Sequence, residues 1–463
     1  MLIGDRAFYS RVAVVLIPII IQNTVTNVVN LLDNVMVGRV GTIQMSSVAI
    51  VNQLLFVFML CIFGGLAGAG IFAVQFYGAG NDEGVRYCFR MKLYLGAIML
   101  AVAYAIFFAV PEKLIAVYIA DNTAPADAAA TMGYALTYFK IMLVGLFPFT
   151  VSQVYGSTLR EVGETRLPMI ASVASIFVNL IFNYILIFGN EGLKFLPFAP
   201  MGVAGAAIAT VMARFVELFI ILISFKKNAH KFTFIEGIYG NFRVPMGLCV
   251  DIMKKDAPLL INEFLWSLGQ AMLLQCYSIR GLDVVAATNI STTAMNLFNV
   301  IFLSMGNAVA IMVGQCLGAN KPTEAKNTAW RLILLSVGSC VLMGILLAVC
   351  APFIPRIYNT TDEIRYMATQ FLWMVAVMMP CHAFSHACYF TLRSGGKTFL
   401  TMLFDSGFTW VISYPAAFAI VHFTRLAIVP IYVCVQLLDI IKAVMGLFMV
   451  KSGIWINNMV DEK

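Results

Sequence analysis

Charge is the scarcest ingredient of this sequence. Only 11% of its 463 residues are Asp, Glu, Lys or Arg, against 61% hydrophobic, and the mean hydropathy is +0.89. A soluble globular chain carries about 25% charged residues, so that class is excluded and a polytopic membrane protein is implied. Histidine is rarer still, with four in the chain. No HExxH, DDxxD or Ser/His dyad occurs, so the paired groups that a membrane-embedded enzyme needs are missing and no enzymatic activity is expected. The ten cysteines stand singly, mostly inside apolar runs, without CxxC or Cys/His spacing. That removes a metal or dithiol site and leaves small buried hydrophobes. No cleavable leader is read either: MLIGDRAFYSR is charged, and the apolar run after it is too long for a signal h-region. The net charge of +7 suggests a nucleic-acid partner only until its bearers are placed. They sit in short loops between apolar runs, where topology explains them.

What is there, instead, is length and repetition. Windows of about 20 apolar residues give twelve spans near 12–37, 44–77, 90–110, 131–157, 167–189, 202–225, 255–279, 287–317, 329–351, 365–390, 398–422 and 428–450. With the N-terminus inside, twenty Lys and Arg fall in the inner segments and seven in the outer loops. That asymmetry predicts a multi-pass protein of the inner (cytoplasmic) membrane with both termini in the cytoplasm. The first half then covers 1–225, a cytoplasmic linker 226–254, and the second half 255–463. Pro258 to Gly281 repeats Pro18 to Gly41 at an offset of 240, with Gln22 on Asn262 and Asn23 on Glu263; Gln75/Gln315 and Gly78/Gly318 keep that offset. Thr158-Leu159-Arg160 recurs as Thr391-Leu392-Arg393, each with a glycine (Gly163, Gly396) three residues on. The fold class expected is therefore all-α: twelve transmembrane helices in two six-helix lobes related by pseudo-twofold symmetry along the membrane normal.

The first span carries an unusual polar load. At 3.6 residues per turn, Gln22, Thr26, Asn30 and Asp33 fall on one face, with Asn23, Asn27 and Asn34 beside them and Pro18 near the middle. A charge at the bilayer centre costs at least about 2.5 to 3.5 kcal/mol, so this stripe should line a wet cavity or a bundle interior. Five acids lie well within spans: Asp33, Glu217, Glu263, Asp405 and Asp439. Arg214 stands one turn from Glu217 and Lys442 one turn from Asp439, the spacing at which side chains meet, so structural pairing is expected there. Asp33, Glu263 and Asp405 have no local cation, the property a coupling site requires; for Asp405 a neutral carboxyl satisfied by amides remains an equal alternative. Asn179 and Asn183 lie four apart in the fifth span, and Asn289, Thr292, Asn296 and Asn299 run down one face of the eighth. In the tenth, His382 and His386 share a face with Tyr389, either as cavity-lining, proton-sensitive groups or as satisfied interior histidines. The glycine-rich run 64–70 lacks a following Lys-Ser/Thr and reads as close helix packing.

Several of these motifs in combination resemble the multidrug and toxic compound extrusion (MATE) family, on the side of its bacterial, DinF-like branch. They are Asp33-x-x-x-Val37-Gly38, Pro258-x-x-x-Asn262-Glu263-x-x-Trp266-Ser267-Leu268-Gly269, the doubled Thr-Leu-Arg, and Asn179-x-x-x-Asn183-Tyr184-x-Leu186-Ile187-Phe188-Gly189 followed by Gly202-Val203-Ala204-Gly205-Ala206-Ala207. The likeness covers essentially the whole chain. It implies a cation-coupled antiporter of two lobes facing each other across a cleft, exporting organic cations with H⁺, Na⁺ or both as coupling ion and no other cofactor. Asp33 matches the family's first-span coupling aspartate, Asn179 its fifth-span partner, and Glu263 a seventh-span acid. Asn183 stands where some members carry an aspartate, and the tenth-span acid of Na⁺-linked members falls near His382. Both departures weaken a family-type Na⁺ site.

From these readings, Asp33, Asn179, Asn183 and Glu263 are expected to couple the ion. Gln22, Thr26, Asn30, Asn262, Asn296, His382, His386 and Asp405 are expected to line the substrate cavity, and Pro18 and Pro258 to serve as hinges. The expected partners are organic cations or amphiphiles and membrane lipids, with the protein acting as a monomer. The alternative, a lipid or lipid-linked oligosaccharide flippase of the same superfamily, calls for a strongly basic cavity; here carboxylates and amides dominate, with Arg214 and Lys140 the only internal cations left unexplained.

Overall fold

In the computed structural model, residues 4–119, 124–192, 197, 199–358 and 360–461 are described, without the side chains of Asn30, Leu31, Asn34, Val35 and Leu282. Among the described residues, twelve helical passes follow one another in the order that the apolar windows predict. They are α1 (Arg6–Gly38), α2 (Thr42–Gly65 continued by Ala67–Gly78), α3 (Asp82–Ala109), α4 (Pro125–Val144 and Leu146–Glu161), α5 (Arg166–Gly192) and α6 (Gly202–Lys227). After the linker come α7 (Met246–Ser278), α8 (Leu282–Phe298 and Val300–Gly318), α9 (Pro322–Cys350) and α10 (Asp362–Ser394). The last two are α11, built of short pieces from Thr398 to Phe423, and α12 (Ile428–Leu437 and Asp439–Lys451). Among the described residues nine helices are long and apolar enough to cross a membrane, and ten when the two parts of α4, bent by 43°, count as one. The passes that fall short are polar or broken: α7 carries Asp251, Lys254, Lys255, Asp256 and Glu263, and α11 is interrupted by two π-helical stretches, Leu403–Gly407 and Thr409–Ser413.

Contacts divide the chain into two compact units, one of Met1–Ile20, Ile71–Gly84 and Val250–Lys463, the other of Ile21–Gly70 and Val85–Cys249. The grouping cuts across the sequence halves, because the start of α1 and the end of α2 pack with the second half of the chain.

In the unit of Ile21–Gly70 and Val85–Cys249, small residues set the helix spacing. A side chain at Gly205 of α6 would run into the backbone of Leu186 and Ile187 of α5, and the Met201 amide donates to the Leu186 carbonyl at 3.0 Å. Close approach of this kind is what runs such as Gly202-Val-Ala-Gly-Ala-Ala permit. Lys92, 0% exposed, is held by Glu161 at 2.5 Å and by Ser157 Oγ at 3.1 Å, so the buried ammonium is paired as its desolvation demands. The linker is not a loose connector. Arg86 Nε and Nη2 donate to the carbonyls of Phe234 and Thr233 at 2.9 Å, and Arg90 Nε and Nη2 to those of Ile238 and Gly237 at 3.0 Å. Phe234, 0% exposed, packs edge-on to Phe225 at 6.2 Å. Two arginines that topology alone accounts for in the sequence thus fasten the linker to α3.

In the other unit, Phe8 and Val12 of α1 share one apolar cluster with Met305, Val309, Leu392 and Trp455. The repeat becomes a reciprocal contact here. A side chain at Gly78 would collide with the backbone of Gln315, and one at Gly318 with the backbone of Gln75, so the ends of α2 and α8 touch main chain to main chain at equivalent positions. Gln75, fully buried, donates from Nε2 to the carbonyls of Ser394 at 2.9 Å and Asn457 at 3.2 Å, while its Oε1 accepts from the Met459 amide at 2.8 Å. The residues after the doubled Thr-Leu-Arg motifs also match: Gly163 and Gly396 adopt φ of +85° and +70°, left-handed turns that favour glycine.

Because no space exists beside Gly318, Gly318→Val should overpack the α2·α8 contact at a cost of about 1–3 kcal/mol. Gly338→Val on α9, where the space is open, should lack that clash. Thermal unfolding of both variants in detergent measures the difference, with the Gly318 variant expected to melt well below the other.

Candidate functional site

Two polar clusters form among the residues singled out in the sequence, one in each unit. The first is built on α1, α5 and α6. Asn183 Nδ2 donates to Asp33 Oδ1 at 2.7 Å. The Asn179 amide, turned so that its nitrogen faces Asp33, donates to the two carboxylate oxygens at 3.1 and 3.0 Å while its oxygen accepts from Thr210 Oγ1 at 3.2 Å. Asn179 and Asn183 lie four residues apart on one face of α5 and are buried; the tight α5·α6 spacing brings Thr210 up behind them. Asp33 is therefore solvated by amides. Asn183 Oδ1 is a buried acceptor with no hydrogen-bond partner among the described residues. Gln22 and Thr26 lie half-buried further back on α1, and Thr26 Oγ1 donates to the Gln22 carbonyl at 2.8 Å. Asn30 is on the same helix, but its side chain lies outside the described residues. Thr210 was missed in the sequence because a lone threonine in an alanine-rich span carries no signal.

The second cluster joins α7, α10, α11 and α12. Asn262, 1% exposed, is its hub. Its Nδ2 donates to Asp405 Oδ2 at 3.1 Å and to the Tyr389 hydroxyl at 3.4 Å. Ser406 closes around it, with the amide donating to Asn262 Oδ1 at 3.3 Å and Oγ lying 2.6 Å from the same oxygen. Lys442 Nζ donates to Asp405 Oδ1 at 2.7 Å. Glu263, half-buried, is the next residue on α7, in electrostatic reach of Arg393 and Asp405, and Arg393 lies over the Phe390 ring at 5.2 Å. Two carboxylates thus face two cations.

Three expectations about pairing change. Asp405 does have a cation, and it is Lys442. Asp439 consequently pairs not with Lys442 but with His382, Nε2 to Oδ2 at 3.0 Å. The reason is geometric: i,i+3 spacing makes an interaction available on a helix surface, but side chains on α10 and α11 compete for the same groups, and Lys442 takes the better-buried carboxylate, Asp405 at 19% side-chain exposure against 27% for Asp439. The third concerns Arg214, whose Nη1 donates to the Gly145 carbonyl at 3.2 Å and whose guanidinium lies over Phe149 at 5.2 Å. It is an electrostatic neighbour of Glu217, yet no ion pair joins them among the described residues.

The two histidines of α10 also part company. His386 is packed between Phe302 at 5.1 Å and Phe390 at 4.9 Å, against Gly306, and its Nδ1 has no partner among the described residues. His382 is the one engaged by a carboxylate. Asn296 on α8 is exposed. Pro18 is buried and Pro258 half-buried, each inside its helix.

These clusters sit on a pattern that recurs elsewhere. The MatE family model matches the chain twice, over residues 18–185 and 258–419, so its two copies start on the two repeat prolines. The chain belongs to the MatE family. Among MatE relatives, the chain is 24% identical over 447 residues to the probable multidrug resistance protein NorM of Thermotoga maritima, covering 95% of this chain and 91% of that one. It is 24% identical to the probable multidrug resistance protein YoeA of Bacillus subtilis, covering 90% and 88%. The fold matches a MATE multidrug resistance transporter of the MOP superfamily in an outward-facing conformation, with a TM-score of 0.83 at 18% identity over 97% and 96% of the two chains. A MOP superfamily transporter from Pyrococcus furiosus follows at 0.81 and 17%, over 97% and 96%. The all-α plan of twelve passes in two sequential sets of six is thus the MatE plan.

Asn262→Leu strips the hub from the second cluster: Asp405 Oδ2 loses its amide donor and Ser406 loses the side-chain oxygen, its hydroxyl keeping only the main-chain carbonyl of residue 262 at 2.8 Å. A loss of about 1–3 kcal/mol is expected for an unpaired buried polar group, read as a lower unfolding midpoint in detergent than that of the conservative Asn262→Gln.

Proposed function

We propose that this chain is a cation-coupled antiporter that exports organic cations or amphiphiles by alternating access, with Asp33 as the coupling group. Its relatives carry the name of multidrug resistance proteins, and the observation that carries the reading is the amide clamp on Asp33. A carboxylate held by neutral donors can gain and lose a proton without breaking an ion pair. A hard metal cation is bound through several oxygens, whereas amide nitrogens face this carboxylate and Asn183 Oδ1 is the free oxygen beside it. A proton suits that donor set better than Na⁺.

The step follows from the inventory of donors. Charged, Asp33 accepts from Asn179 and Asn183. Protonated, the carboxyl loses its charge and gains an O–H donor, so its remaining acceptor oxygens hold the two amides less strongly. The clamp between α1 and α5 then loosens. Pro18 lacks the N–H that would tie that turn of α1 to the preceding one. Protonation therefore biases the position of the later part of α1, which is the differential free energy an alternating-access carrier needs. Pro258 occupies the matching place in α7 and serves the second half in the same way. Glu263 is the acid available to that half, and Gln22 and Thr26 supply polar wall for the substrate, whereas Asn262, expected there from the sequence, is buried and spent on Asp405, Tyr389 and Ser406.

The protein works in the inner membrane as a monomer among lipids, with both termini in the cytoplasm, the placement favoured by its Lys and Arg distribution. The test is dye extrusion from proteoliposomes with H⁺ and Na⁺ gradients imposed separately. A proton gradient alone is expected to drive wild-type extrusion, and Asp33→Asn to abolish it. Extrusion by Asp33→Asn at the wild-type rate refutes the assignment, and extrusion driven only by Na⁺ refutes the choice of ion.

A further inference from the structure

Lys442 occupies a place that chemistry would assign to a ligand. Its ammonium lies 2.7 Å from Asp405 Oδ1, 5.6 Å from the centre of the Phe404 ring and 6.0 Å from that of Phe408. A carboxylate flanked by aromatic rings is a receptor for organic cations. Residues 404, 405 and 408 lie in or between the two π-helical stretches of α11, and π-turns inside α-helices recur at functional sites because they re-aim side chains.

We propose that Phe404, Asp405 and Phe408 form a binding site for an organic cation, and that Lys442 is a tethered cation which holds the site until the ligand displaces it. The proposal rests on the export of organic cations argued above and names where the second unit receives them.

Three features separate this arrangement from a plain structural ion pair. The carboxylate is fixed without the lysine: Asn262 Nδ2 holds Asp405 Oδ2 from α7, and Ser406 in turn locks Asn262. The receptor therefore keeps its shape when Lys442 leaves. The pair is not sealed: the Lys442 and Asp405 side chains retain 16% and 19% exposure, while the Phe404 and Phe408 rings behind them are buried at 1% and 3%, so an entering cation reaches the rings only as the lysine leaves. Finally, the lysine has somewhere to go. Asp439 lies three residues before it on α12, close enough to interact electrostatically with it, and is now engaged by His382 at 3.0 Å. The two positions of Lys442, on Asp405 across helices or on Asp439 along its own helix, make a bistable element. A lysine ammonium is strongly hydrated, so a bulky, weakly hydrated cation competes for the rings on favourable terms. The charge of Asp405 is neutralised either way.

The experiment measures binding of tetraphenylphosphonium to detergent-purified protein with no ion gradient, which separates it from coupling at Asp33. Lys442→Met is expected to bind the probe at least about tenfold more tightly than wild type, because it leaves a half-buried carboxylate without its cation. The gain should vanish in Lys442→Met/Asp405→Asn. Asp439→Asn, which withdraws the alternative seat of the lysine, is expected to weaken binding in the otherwise native protein, and it serves as the test if the Lys442 variant does not fold. No gain in Lys442→Met, a gain that survives removal of the Asp405 charge, or unchanged affinity in Asp439→Asn overturns the proposal. If the gain depends on Asp405 while wild-type liposomes extrude no cation, the site stands and the transport reading falls.

Discussion

The hydrogen bond from Asn183 to Asp33 at 2.7 Å answers the question every charged residue in this chain poses: how an acid survives among helices that are mostly apolar. A carboxylate withdrawn from water needs donors or a cation. The first repeat answers with amides on α5. The second answers with an amide and a cation, Asn262 and Lys442, on Asp405. The helix packing serves those answers. Small residues at Gly205 bring α6 against α5 and seat Thr210 behind Asn179, while the π-turns of α11 present Asp405 to α7 on one side and α12 on the other.

Much of this was legible in the sequence. A polar stripe of period 3.6 in the first span located Asp33, and the pair Asn179 and Asn183, four apart, pointed the same face of α5 at it. The offset of 240 predicted equivalence of Gly78 with Gly318 and of Gln75 with Gln315, and in the folded chain those four residues touch one another in a reciprocal pattern. Residue type and spacing sufficed because each of these features depends on one helix or on an internal copy of it.

What escaped depends on the choice between competing neighbours. Asp439 and Lys442 satisfy every local rule for a pair, and each has a partner on another helix instead. A one-dimensional pattern does not contain the π-turns that aim Asp405 at α12, nor the distance between α10 and α12 that lets His382 claim Asp439. The same holds for Arg86 and Arg90. Topology accounts for their positions in the sequence, yet their guanidinium groups are spent on carbonyls of the linker, 148 residues away for both Nε contacts.

The buried side chain of Gln75 has a further implication for how the molecule is made. Its amide is satisfied by Ser394 and Asn457 and its oxygen by the Met459 amide, 384 positions later. A helix already threaded into the bilayer must therefore keep one glutamine waiting, hydrated or wrongly paired, through most of translation. Contacts between residues so far apart in sequence are slow to form. The contacts of Gln75 therefore close only once residues 394 to 459 have been made, so a lesion near Gln75 or Trp455 acts on biogenesis as well as on the finished fold.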